Sequence, residues 1–215
     1  MEVSRIRALR GPNLWSRQTA IEAVVTCKGV ECDLDQIPDF VTQLRARFPD
    51  VKPLRPYGHK DPITLAHAME AVALGLQAAA GCTVAFSQTF ATPDPESFQV
   101  VVQYTEEPVG KLAFELAEAL IVATIKHEPF DIKQALNRLR ELDEDVRLGP
   151  STGSIVNAAV ARGVPYRRLT EGSLVQFGWG SKQRRIQAAE TGNTSAIAEA
   201  IAQDKDLTKM LLDAA

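Results

Sequence analysis

The order in which strand-like and helix-like segments follow one another over the first 146 residues restricts the fold of this chain more than any other feature. Runs rich in β-branched or aromatic residues predict strands at residues 6–9, 21–27, 83–89 and 98–104. Apolar residues at helical spacing predict helices at residues 37–48, 63–80, 109–125 and 132–142. A turn holding Pro93 and Pro95 joins the last two strands into a hairpin. This order predicts an α+β fold, a largely antiparallel sheet with packed helices.

A second, shorter segment begins near residue 147. Ser151 is a residue type that caps helices, and apolar residues follow it at helical spacing. Gly163 stands where a helix often ends in a left-handed residue, and strand-like sequence comes next. Residues 147–215 therefore predict a small α/β segment.

Charge and hydropathy exclude several kinds of partner. The net charge of −3 gives no electrostatic basis for binding nucleic acid. No apolar run approaches the roughly 20 residues that a transmembrane helix needs, and the polar first residues are unlike a signal peptide. The three cysteines, Cys27, Cys32 and Cys82, cannot all pair within one chain and fit no common zinc spacing. Free thiols in a reducing cytoplasm are therefore predicted.

The predicted helix at residues 63–80 carries two titratable side chains, His67 and Glu70. Their i, i+3 spacing places them together on one face of the helix. The apolar stripe on the opposite face consists of Leu65, Met69, Val72 and Leu76. The rest of the polar pair's own face is small and apolar, so the pair should be hydrogen-bonded, to each other or to an ion. His67 and Glu70 are the candidate catalytic residues of the chain.

Basic residues cluster in the second segment. They are Arg167, Arg168, Arg184 and Arg185, with Trp179 between the two pairs. Most short basic clusters in a near-neutral protein are simply solvated. The alternative is that they bind an acidic chain, because the guanidinium group holds carboxylates in bidentate fashion.

Several longer stretches carry a family resemblance. Residues 9–16 read LRGPNLWS and residues 148–152 read LGPST. Residues 173–180 read SLVQFGWG and residues 183–189 read QRRIQAA. In this order they resemble the cyanophycin synthetases, with residues 1–146 similar to the family's N-terminal domain and residues 147–215 to the start of its ATP-grasp domain.

The resemblance implies an ATP-dependent ligase that joins Asp and Arg into cyanophycin, a poly-aspartate backbone whose side-chain carboxyls bear arginines. It implies that the N-terminal portion binds and tethers this storage polymer. The implied polymer contacts are Arg167, Arg168, Arg184 and Arg185, and the implied substrate contacts are Ser151 and Glu199. A domain that only supports assembly of the synthetase is a further alternative.

The family also has a Mur-ligase-like domain, and 215 residues cannot hold all three parts. No Gly-x-x-x-x-Gly-Lys-Ser/Thr phosphate loop occurs in the chain. The expectation is a truncated piece that binds no cofactor itself, with ATP and Mg²⁺ belonging to the intact enzyme. Its expected partners are the polymer, the remaining domains and, when intact, further copies in a homo-oligomer.

Some cyanophycin synthetases carry His-x-x-Glu-His at the position of His67 and Glu70, which is the arrangement of inverted zinc peptidases. The resemblance implies that such members cut the polymer to make primers. Here Ala71 replaces the second histidine, so the zinc ligand set is short and no metal is expected. His59 would complete the set only through a coincidence of folding. A degenerate metallopeptidase-like hydrolase is the alternative function.

Overall fold

The computed structural model of the chain describes residues 1–54, 62–188 and 190–214. They form two compact units, Met1–Arg147 and Leu148–Ala215. Helices pack with one antiparallel sheet in the first unit, and the second unit has an antiparallel sheet of its own. The predicted α+β class is confirmed. None of the helices among the described residues combines the length and apolar character that a membrane span requires.

The sheet of the first unit has four strands, each antiparallel to its neighbours. They are β1 (Glu2–Leu9), β2 (Ala20–Thr26), β3 (Ser87–Ala91) and β4 (Ser97–Gln103), in the order β1-β2-β4-β3. On β2, Ile21, Ala23 and Val25 are fully buried against the helices, as the alternation of a strand requires. We call this side of the sheet the helix-facing side and the other side the outer face.

Four helices complete the first unit. They are α1 (Phe40–Arg47), α2 (Leu65–Ala80), α3 (Glu107–Ile125) and α4 (Ile132–Val146). The predicted apolar stripe of α2 is fully buried, because this helix packs on α3, α4 and the sheet. The predicted strand at residues 83–89 begins later, at Ser87. Upstream of it, the backbone N–H groups of Ala85 and Phe86 donate to the side-chain Oε1 of Gln103 instead of joining the ladder.

The loop between β1 and β2 folds over the outer face. Asn13 organises it, since its Oδ1 accepts the backbone N–H groups of Trp15 and Ser16, both at 2.9 Å. Trp15 lies against Phe90 of β3 with ring centroids 4.3 Å apart. The sequence LRGPNLWS therefore codes for a loop that places one indole on the sheet.

The second unit begins with α5 (Pro150–Ala161) and ends with α6 (Ala196–Gln203) and α7 (Lys205–Asp213). Between them, β5 (Tyr166–Arg168), β6 (Leu174–Phe177), β7 (Arg184–Gln187) and β8 (Glu190–Thr191) pair in sequence order. The predicted order of helix, turn and strand is present, and Gly163 has the expected left-handed backbone at φ 71°. The strands that follow run antiparallel, because the connections between them are short hairpins rather than helical crossovers.

The prediction that Ser151 caps α5 is wrong. Gly149 is the N-cap, Pro150 is the first helical residue, and Ser151 is exposed in the first turn. Proline favours this first position because it has no N–H to satisfy and its φ is already helical. The neighbouring Thr152 is the buried hydroxyl, and its Oγ1 lies 3.5 Å from the carbonyl oxygen of Ala188.

Candidate functional site

A groove of about 470 Å³ lies beside α2 and β3 on the helix-facing side of the first unit. Its described lining consists of Lys52, Pro53, His67, Glu70, Ala71, Leu74, Ala85, Ser87, Gln88 and Thr89. The two predicted catalytic candidates therefore both line the groove. Its volume falls within the range of small-ligand sites, and its wall combines apolar surface with a few polar groups.

Glu70 is the acidic residue of the described lining, and two hydroxyl groups of β3 hold it. Ser87 Oγ donates to Oε1 at 2.8 Å, and Thr89 Oγ1 donates to Oε2 at 2.6 Å. Both hydroxyls point towards α2 because Ser87 and Thr89 are paired with the core residues Val102 and Val100. Burial raises the pKa of Glu70 above its ordinary value, and the two hydrogen bonds offset part of that rise.

His67 has a structural role at the start of α2. Its side chain is only 6% exposed, and its Nδ1 accepts the backbone N–H of Thr64 at 3.1 Å. The hydroxyl of Thr64 accepts from the N–H of Ala66 in return, which completes a reciprocal cap. Because Nδ1 is an acceptor here, the proton of the neutral ring lies on Nε2. The partners of the two side chains include Thr64 for His67, and Ser87 and Thr89 for Glu70.

Zinc does not fit the groove as the described residues form it. Those residues include no group of three or more His, Cys, Asp or Glu that could hold a metal ion. Ala71 lines the groove where a second histidine would be needed, and Glu70 already accepts two hydrogen bonds. His59 lies outside the described residues. The side chains present can hold a cation by charge rather than a metal by coordination.

The predicted basic cluster of the second unit is divided between the two faces of its sheet. Arg167 and Arg185 both pair with Gln176 across the strands, so the three side chains share one face. Arg185 Nε lies 3.4 Å from Gln176 Oε1. Arg168 and Arg184 lie on the opposite face and donate to backbone carbonyls near their own strands.

Glu199 lies in the first turn of α6 and accepts a hydrogen bond from Gln203 at 2.8 Å. Contact with Glu199 also raises the pKa of Glu190, because two carboxyl groups that share a site cannot both ionise freely. Ser151, the other predicted substrate contact, is solvent-exposed on α5. The substrate roles of Ser151 and Glu199 remain predictions.

Reasoning from the sequence missed several members of the groove, among them Lys52, Ser87 and Thr89. The two hydroxyls had a detectable signal, since they alternate on a predicted strand and must therefore share one face. Lys52 had none, because it follows α1 in irregular chain. Its place at the rim depends on how that chain returns to α2.

Comparison with known proteins identifies the family to which the chain belongs. A family model described as the cyanophycin synthase-like N-terminal domain matches residues 24–126. Proteins named cyanophycin synthetase from Trichormus variabilis and from a Nostoc species are each 33% identical over 100% of the chain. The cyanophycin synthetase of a Synechocystis species is 32% identical over 99% of it. The chain spans about a quarter of the length of these relatives. It therefore belongs to the cyanophycin synthetase family, whose N-terminal domain it carries.

Proposed function

We propose that the chain is the N-terminal portion of an ATP-dependent ligase that polymerises Asp and Arg, and that this portion binds and tethers the growing polymer. The polymer presents two kinds of charged group, the guanidinium and the free carboxylate of each attached arginine. A protein that holds it needs sites for both charges. The groove beside α2 and β3 is the observation that carries the proposal.

The groove offers a half-buried anion, Glu70, to a guanidinium group. A carboxylate has about four lone-pair positions, and the hydroxyls of Ser87 and Thr89 use two of those of Glu70. The remaining positions can accept the paired N–H groups of an arginine side chain. Ala71 and Leu74 supply apolar wall for its methylene groups.

Lys52 gives the same groove a cation. It is exposed at the lining, whereas Glu70 is half-buried, so the two charges lie at different depths. A zwitterionic unit enters such a site with its guanidinium towards Glu70 and its carboxylate towards Lys52. Polar groups of opposite sign fix the orientation of a ligand in this way.

A hydrolase that trims the polymer with zinc is the competing function. It requires a second histidine ligand that Ala71 does not supply, and Glu70 already accepts hydrogen bonds from two hydroxyl groups. A purely structural scaffold is the other alternative. It predicts a folded domain whose groove takes no polymer.

The chemistry of ligation belongs, in this proposal, to the intact cytoplasmic enzyme. There ATP and Mg²⁺ activate a carboxyl group as an acyl phosphate, which an amino group then attacks. The ATP-grasp and Mur-ligase-like domains would supply those sites, and the intact protein would assemble as a homo-oligomer. Arg167 and Arg185, which share one face of the second sheet, are the better pair of the predicted basic residues for a second polymer contact.

Co-sedimentation with insoluble cyanophycin tests the groove. The wild-type chain is expected to leave the supernatant, and Glu70→Gln to bind about tenfold more weakly, since a charge-assisted hydrogen bond contributes ~1.5–3 kcal/mol. Glu115→Gln on the exposed surface of α3 is the charge-matched control. Binding should also weaken as Glu70 becomes protonated at acidic pH, and Glu70→Gln should remove that dependence.

Equal binding by wild type, Glu70→Gln and Glu115→Gln at every pH would refute the role of the groove. If the wild-type chain does not bind the polymer at all, the purely structural scaffold is the function that the result supports. Release of short peptides that stops with a chelator would favour the hydrolase instead.

A further inference from the structure

The two hydroxyl groups that hold Glu70 divide its carboxylate between them. Ser87 Oγ donates to Oε1 at 2.8 Å and Thr89 Oγ1 donates to Oε2 at 2.6 Å, so each oxygen accepts one of the two bonds. The last torsion angle of a glutamate side chain is only weakly restricted by itself. Bonds to both oxygens restrict it, because the carboxylate cannot turn without breaking one of them.

The two hydroxyl groups are themselves carried by a well-held element. Ser87 and Thr89 are alternate residues of β3, and each is paired with a core valine of β4. Thr89 is only 3% exposed, so its side chain is closely packed. Residues two apart on a strand are separated by about 6.6 Å, which is wider than a carboxylate group. The hydroxyls therefore approach Glu70 from opposite sides, with the edge between its two oxygens lying between them.

A carboxylate fixed in this way treats two kinds of cation differently. A guanidinium group is planar and donates two parallel N–H groups, so it requires both oxygens in one orientation. An ammonium group is a compact charge whose three donors can turn, so it can bind one oxygen whatever the rotation of the carboxylate. Fixing the carboxylate in advance lowers the ordering cost of the first pair and does little for the second.

The apolar wall and the rim cation of the groove do not distinguish these cations. Ala71 and Leu74 can pack against the methylene chain of an arginine or of a lysine. Lys52 attracts the carboxylate that both amino acids carry. Selection between them therefore depends on how Glu70 is presented.

We propose that Ser87 and Thr89 are positioning residues that hold both oxygens of Glu70 towards the groove, so that the groove selects arginine units of the polymer over lysine units. The inference rests on the proposed function, since it assigns the specificity of the same groove. The two differ in what they require of Glu70. Binding of the polymer needs its charge, whereas selection needs its orientation.

Two matched oligomers separate charge from orientation. Each has three units on a poly-aspartate backbone and a fluorescent label, and the side-chain carboxyls carry arginine in one oligomer and lysine in the other. Fluorescence anisotropy gives the Kd of each oligomer for the full chain. The wild-type chain is expected to bind the arginine oligomer about tenfold more tightly, because a bidentate pair adds a second charge-assisted hydrogen bond.

Thr89→Val removes one hydroxyl with little change of shape, and Ser87→Ala removes the other at a less buried position. Each should reduce the preference to about threefold or less, since the carboxylate is then free to turn. A change in the charge of Glu70 affects both oligomers alike, so the ratio of the two Kd values reports orientation. Thr42→Val on the exposed surface of α1 is the control and should keep the wild-type ratio. Thermal unfolding checks that each variant is folded.

A wild-type preference that persists in the folded hydroxyl variants overturns the proposal, as does a wild-type chain that binds the two oligomers equally. In the second case, weaker binding of both oligomers by Glu70→Gln would still support the proposed function, so the two proposals fail separately. Binding of neither oligomer overturns both. A preference that falls in the hydroxyl variants and persists in Thr42→Val supports the positioning role of Ser87 and Thr89.

Discussion

Two carboxylates lie on opposite sides of one sheet, the half-buried Glu70 on α2 and the buried Glu22 on β2, and their partners differ in kind. Glu70, on the helix-facing side, accepts hydrogen bonds from the neutral hydroxyls of Ser87 and Thr89. Glu22, on the outer face, accepts from a guanidinium, an amide and an indole N–H. Hydroxyl groups can donate or accept, whereas the guanidinium of Arg7 and the indole N–H of Trp15 beside Glu22 can only donate.

This difference decides what each carboxylate can do. Among the described residues, the hydrogen bonds to Glu70 come from neutral hydroxyl groups, so an incoming guanidinium can supply a cationic partner. The charge of Glu22 is already matched by Arg7, so it acts as an anchor that positions its neighbours. One residue type therefore gives a ligand-binding group on one face and a structural group on the other.

The largest effect is expected from Trp15→Ala, which removes the stacked ring and one donor to Glu22. Full truncation of a core Trp costs ~3–5 kcal/mol, and for the half-buried Trp15 we expect about 3 kcal/mol of lost unfolding free energy. Leu14→Ala, one residue away and 95% exposed, should change it by less than about 0.5 kcal/mol. Chemical denaturation compares the two. Equal effects would mean that the loop does not depend on its contact with the sheet.

Glu22→Gln should have the next largest effect, about 1–2 kcal/mol of destabilisation. The amide keeps the shape of the side chain but turns an NH₂ group towards Arg7 or towards Trp15, neither of which can accept from it. Arg7 also loses its anion. Glu2→Gln at the exposed start of β1 is the matched control, and urea unfolding at pH 7 is the measurement. A Glu22→Gln variant as stable as this control would contradict the anchoring role of Glu22.

The sequence predicted the buried stripe of α2 and the two polar residues on its other side, because a 3.6-residue period suffices for both. It did not predict the partners of Glu70, since these depend on how β3 is paired with β4. The division of the basic cluster could have been predicted from the sequence, because Arg167 and Arg168 are adjacent on a strand and must point to opposite faces. The anchoring of Glu22 could not have been predicted, because its donors come from separate parts of the chain.

Glu70→Gln is expected to have the smallest effect on the free energy of unfolding. The way this effect changes with pH shows how Glu70 is protonated in the folded state. Burial raises the pKa of Glu70 in the folded state above its ordinary value of 4.5, so the protonated group contributes stability that is fully present below that value. This contribution is lost as the pH rises through the folded-state pKa. Gln has no proton to lose, and the hydroxyls of Ser87 and Thr89 can turn to accept from its NH₂ group.

Wild type and Glu70→Gln should therefore be equally stable, within about 0.5 kcal/mol, at pH 4, and the variant should become the more stable as the pH rises towards 8. Urea denaturation at several pH values measures this difference, with Glu115→Gln as the exposed control that should show none of it. A Glu70→Gln variant that becomes relatively less stable at high pH would mean that Glu70 is held as an ion by a cationic partner. The groove would then have no unmatched charge to offer a guanidinium, and the contrast with Glu22 would disappear.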